Sequence, residues 1–83
     1  FVGPELTDIL SALASLCAEH GAALADVVKT TCFLVDMDTF ATFNAAYVAG
    51  FDGHRPARST IAVRELPAGG QVEIEAVVHK PAS

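Results

Sequence analysis

The chain has 83 residues, which bounds it to one domain in the size range where a single core barely offsets chain entropy. Ten acidic residues against five basic ones give a net charge of −5; with no Lys/Arg run or basic-aromatic stripe to offset this, nucleic-acid binding is not expected. Apolar residues make up 52%, more than one small interior hides even allowing for alanine, yet no apolar run reaches the roughly 18 residues of a membrane span, so the surplus points to contact with sister subunits.

Leu6, Ile9, Leu10, Leu13, Leu16 and Cys17 recur at three-and-four spacing, which predicts a first helix with one buried face. Pro4 and Glu5 suit its first turn, where a missing N–H costs nothing and a carboxylate meets the positive dipole end. Gly21 fits a left-handed closing position. From Val28 to Val35 the β-branched and aromatic content predicts a strand covered on both faces, ended by Asp36 and Asp38, with Asp38 as N-cap of the next helix. That second helix carries Phe40, Phe43, Tyr47, Val48 and Phe51 on one stripe, with Gly50 and Gly53 marking its end. Asn44 shares the stripe; it is either a satisfied structural amide or a group facing a pocket.

Past a turn with His54, Arg55 and Pro56, Ser59–Val63 reads as a strand, and after the loop Leu66–Gly70 the final strand runs from Gln71 to Val78. In the final strand Val72, Ile74, Ala76 and Val78 alternate with Gln71, Glu73 and Glu75, so one face is apolar and the other holds two carboxylates. The short loop predicts that these last two strands form a hairpin. The expected architecture is α+β, a small mixed sheet with both helices on one face and the other face available to sister subunits. The tail Pro81, Ala82, Ser83 is expected to be loose.

Cys17 and Cys32 both fall on apolar stripes, as buried free thiols do, which fits a reducing compartment. With no basic-then-apolar signal segment, the expected location is the cytoplasm. His20, His54 and His79 lack ligand spacing, so no metal is expected, and Gly69-Gly70 precedes a strand rather than a helix, so no phosphate loop is read there. Arg55, Arg58 and Arg64 fall close together, and a local cationic patch in an acidic chain suits a small anion better than a polymer. Arg58, Glu73 and Glu75 are the residues left to carry chemistry. A guanidinium can hold a carboxylate through two parallel bonds, and a nearby Glu can hold or deprotonate water; an ordinary ion pair across a hairpin is the alternative.

Several blocks in order, Asp26–Met37, Phe43-Asn44 with Tyr47, Arg55-Pro56-Ala57-Arg58-Ser59-Thr60 and Val72-Glu73-Ile74-Glu75-Ala76, resemble the RidA/YjgF family, also known as endoribonuclease L-PSP. The resemblance covers roughly residues 6–79 and implies a chorismate-mutase-like fold, a homotrimer with ligand sites in clefts between subunits, and cofactor-independent hydrolysis of enamines and imines such as 2-aminoacrylate. By the same resemblance Arg58 clamps the substrate carboxylate, Glu73 positions the attacking water, Asn44 lies near the site, and the backbone of Thr60, where many members have Cys, faces the substrate nitrogen. Glu75 matches the motif with no catalytic role assigned. The family's upstream Pro-Tyr-Ser and Ser-Gly-Gln segments do not occur here, so a longer parent chain or a divergent member with a partial site is expected. A trimeric carboxylate-binding protein without activity and a ribonuclease are the rival functions.

Overall fold

The computed structural model describes residues 2–80, so the expectation for Pro81–Ser83 lies outside the described residues. Helix α1 (Val2–Glu19) is followed by a 3-10 turn and strand β1 (Val27–Leu34); a second 3-10 turn opens α2 (Phe40–Phe51), and β2 (Ala57–Ala62) and β3 (Val72–Val78) complete the chain. Helix α1 begins earlier than Leu6, with Pro4 and Glu5 inside its first turn. It closes on Gly21 at φ 73°, where Gly21 N donates to Ala18 O and Ala22 N to Cys17 O, the paired bonds of a left-handed helix stop.

The cap of α2 is shifted from its expected place. Asp36, not Asp38, accepts a backbone bond: its Oδ1 takes the N–H of Asp38 at 2.9 Å. The reason is the 3-10 turn Met37–Thr39, which starts the coil before α2 proper. At the other end Asp52 adopts the left-handed cap at φ 47°, and Gly50 stays inside the helix. Gly50 has a packing reason, because a Cβ there would overlap Leu10 Cδ1 of α1.

The expected hairpin between the last two strands does not form. The strand order is β2-β1-β3, with β1 parallel to β2 and antiparallel to β3. Helix α2 is the crossover that a parallel β1–β2 pair requires, which fills one edge of β1 and leaves β3 the other. The connection 63–71 steps over the end of β1, held there by Val63 N to Leu34 O at 2.8 Å and Val35 N to Gln71 O at 3.3 Å. Spanning one intervening strand needs about 10 Å, twice the strand spacing, which a segment of that length covers easily.

Both helices lie on one face of the sheet. Leu6 and Leu10 of α1, Phe43, Tyr47 and Phe51 of α2, Cys32 and Leu34 of β1 and Val72 of β3 form one buried cluster. Helix α1 is tied to the sheet by a charge as well: Glu5 Oε2 accepts the N–H groups of Gln71 at 2.8 Å and Val72 at 2.9 Å. The opposite face is only partly covered within one chain, contrary to the expectation for β1. Thr31 and Phe33 are half-buried there, Ile61 of β2 is 46% exposed and Val77 of β3 is 57% exposed. A register shift at Val28 separates buried Val27 from Lys29, letting the remainder of β1 keep its alternation.

Candidate functional site: an arginine on an aromatic floor

Register decides what meets what. Thr30 lies across from Arg58, and Cys32 across from Thr60, so Arg58 and Thr60 point to the helix-covered face. Because β2 is an edge strand, Arg58 reaches the margin of α2 instead of its interior. There its guanidinium sits 4.7 Å from the Tyr47 ring centroid, 5.4 Å from Phe40 and 5.8 Å from Phe43. Each such contact contributes about 0.5–1 kcal/mol at an exposed site. The helical stripe that reads as core in the sequence is therefore also the platform of the arginine.

Asn44 completes the fixation, its Oδ1 accepting from Arg58 Nη1 at 2.7 Å. Both readings of this amide meet here, for its oxygen is satisfied by Arg58 and the residue lines a cavity. Beneath the platform, the Thr30 and Tyr47 hydroxyls share a buried hydrogen bond of 2.8 Å, and the Cys32 thiol donates to Thr30 Oγ1 at 3.8 Å. Burial pushes both the Cys32 thiol and the Tyr47 phenol above their ordinary pKa values, against the lowering effect of the Thr30 hydroxyl and of the Arg58 charge. Thr60 Oγ1 is buried without a hydrogen-bond partner.

Arg58, Asn44 and Tyr47 line a cavity of about 400 Å³ together with His54, Arg55 and Pro56. His54 is held by its Nε2, which donates to Val27 O, so its Nδ1 is the nitrogen left for other partners. His54 is legible in the sequence only as a turn residue without ligand spacing, whereas Arg55 is marked there by the clustering of cationic residues. Arg64 lies outside the lining.

Glu73 is not part of this cavity. It lies across from Phe33, and Glu75 across from Thr31, both on the face turned away from the helices. Strand β1 separates β3 from β2, so neither glutamate meets Arg58 within one chain, and the cross-hairpin ion pair is excluded for the same reason. Among the described residues no group of three or more His, Cys, Asp or Glu side chains is placed to hold a metal ion, and no helix is long and apolar enough to cross a membrane.

The sequence profile of the endoribonuclease L-PSP family matches residues 2–80. The chain belongs to this family. Escherichia coli 2-iminobutanoate/2-iminopropanoate deaminase is 47% identical over 60 residues, covering 69% of this chain and 47% of that protein. Among solved structures, RidA from a Psychrobacter species superposes with a TM-score of 0.86 at 35% identity, covering 89% of this chain and 60% of its own. E. coli TdcF with bound serine gives 0.78 at 34% identity, covering 82% of this chain and 56% of TdcF. The chain spans about half the length of the curated relatives it matches. The mixed sheet under two helices is thus the RidA/YjgF fold, as far as this length carries it.

Proposed function

We propose that this chain carries the carboxylate-holding part of an imine deaminase that converts 2-iminobutanoate, 2-iminopropanoate and 2-aminoacrylate to 2-keto acids and ammonia. The observation behind the reading is the Arg58 guanidinium, immobilised by three rings and one amide at the wall of a cavity large enough for such a substrate. Names of relatives support it, as does the serine found in TdcF, whose carboxylate an arginine fork suits. 2-Aminoacrylate first tautomerises to 2-iminopropanoate, a proton leaving nitrogen and one joining the CH2 carbon; with the carboxylate held, water adds to the imine carbon while the C=N electrons and a proton go to nitrogen. The C–N bond then breaks as C=O forms, and ammonia leaves. An imine is already electrophilic, so the site supplies mainly position and orientation.

Glu73 enters this scheme only from a second copy, because within one chain it lies on the far side of the sheet. We assign the water-holding role to Glu73 of a neighbouring subunit in a homotrimer, whose cleft runs along the free edge of β2 beside Arg58 and the backbone of Thr60. No cofactor is required. The experiment is ammonia release from 2-aminoacrylate generated in situ. Arg58→Ala and Glu73→Ala should each abolish release, and trimers formed from equal parts of the two should recover about a quarter of wild-type activity, the fraction of clefts that draw an intact residue from each side. Wild-type protein that releases ammonia no faster than buffer would end the enzymatic reading.

One observation favours a second reading, a binding protein without turnover: no lining residue of the Arg58 cavity is a carboxylate that could activate water. Calorimetric binding of 2-oxobutanoate by a protein that releases no ammonia selects it. Ribonuclease activity, which the family name suggests, is disfavoured by the net charge of −5. RNA cleavage that survives nuclease-free repurification and disappears in Arg58→Ala would revive it.

A further inference from the structure

The acidic chain places two arginines, Arg55 and Arg58, among the residues that line one cavity. No Asp or Glu of this chain is among the lining residues, among the described residues neither arginine forms an ion pair within 4.0 Å, and the Glu73 that the proposed cleft draws from a neighbouring subunit balances only one of the two charges. Arg58 has aromatic rings beside its guanidinium and an amide partner, as a group holding the first carboxylate should. Arg55 has neither. A second full charge beside the first is unfavourable in an empty cavity and becomes favourable when an anion neutralises it.

We propose that Arg55 is a second anion-holding point and that the preferred ligand of the cavity is a small molecule with two acidic groups, an imino- or oxo-dicarboxylate, over the monocarboxylates. This rests on Arg58 holding a substrate carboxylate. At roughly 30 Å³ per water-sized group, the cavity of about 400 Å³ admits both the seven heavy atoms of 2-iminobutanoate and the ten of a five-carbon imino-dicarboxylate, so charge and not size carries the preference. The planar fork of Arg55 can close bidentately on the distal carboxylate, which a monocarboxylate does not offer. The chain thereby separates two functions within one motif: Arg58 recognises the carboxylate next to the reacting carbon, and Arg55, three positions earlier in sequence, sets the length and charge of the rest.

The test is calorimetric binding of two stable probes, 2-oxobutanoate and 2-oxoglutarate, at low and at physiological salt. The wild type should bind 2-oxoglutarate at least tenfold more tightly, with the advantage shrinking as salt rises. Arg55→Gln should bring the ratio of the two affinities close to one. Arg64→Gln, which neutralises an arginine outside the cavity, should leave that ratio unchanged. Equal affinities in the wild type, or a ratio that Arg55→Gln does not move, overturns the inference while the Arg58 site stands. Binding of neither probe overturns both.

Discussion

The hydroxyl pair beneath the arginine platform allows a quantitative test. Thr30 is fully buried and Tyr47 is 5% exposed, and their oxygens share one bond of 2.8 Å. Thr30→Val keeps the volume but strands the Tyr47 hydroxyl in a dry interior, which should cost about 2 kcal/mol: roughly 1 for the lost bond and the remainder for the bare polar group. Tyr47→Phe should cost less, about 1 kcal/mol, because Thr30 Oγ1 keeps the weak Cys32 thiol contact at 3.8 Å. The double variant removes both hydroxyls and leaves only the weak Cys32 thiol donor without its acceptor, so it should lie within about 1 kcal/mol of wild type, a coupling of about 2 kcal/mol between the sites. For a domain of this size, Thr30→Val then lowers Tm by about 10 °C and the double variant by only a few degrees. Urea and thermal unfolding followed by circular dichroism at one fixed protein concentration provide the measurement, a condition under which any self-association affects all variants alike. Additive losses in the double variant would refute the reasoning, because they would mean that the two hydroxyls do not depend on each other.

Other expectations follow from single contacts. Glu5→Ala removes the acceptor of two backbone N–H groups at the start of β3 and should cost about 2 kcal/mol, with faster amide exchange at Gln71 and Val72 by NMR; Glu5→Gln should retain part of it. Raised folded-state pKa values at Cys32 and Tyr47 mean that the unfolded chain releases those protons first. Stability should therefore be whole below the ordinary thiol value of 9.0 and fall as pH rises beyond it, by at most about 1.4 kcal/mol per pH unit for each group. Cys32→Val should flatten the first part of that decline in a series of unfolding curves between pH 8 and pH 10, a window spanning about one unit either side of the free-thiol value. Asn44→Ala frees one side of the Arg58 guanidinium and should weaken 2-oxobutanoate binding about fivefold by calorimetry, about 1 kcal/mol for an exposed charge-assisted bond. Gly50→Ala forces a methyl against Leu10, and the overpacking of about 1–3 kcal/mol should outweigh the helix-propensity gain of about 1.

The elements themselves are written locally. Three-and-four spacing from Leu6 to Cys17 and from Phe40 to Phe51, period-two alternation from Val72 to Val78, and Gly21 after a helical run each report their own backbone, and each appears where the sequence places it. The motif blocks around Arg58 and Glu73 carry the family assignment without reference to any contact. Asp36 was misread in favour of Asp38 because a cap is chosen by where the first turn begins, and a 3-10 turn moves that point without changing composition.

The pairing of β3 with β1 instead of β2, and with it the placing of Glu73 and Arg58 on opposite sides of the sheet, was decided by the tertiary structure alone. Alternation within a strand states which of its residues share a face, but not how that face relates to residues on another strand; only the register of Thr30 against Arg58 and of Phe33 against Glu73 supplies that. The meeting of Arg58 with Asn44 at one cavity, and the conversion of an aromatic core stripe into a platform for a cation, likewise depend on α2 lying over the edge strand. These are long-range juxtapositions, and periodicity along a chain holds no information about the distance between elements that come together only when the core closes.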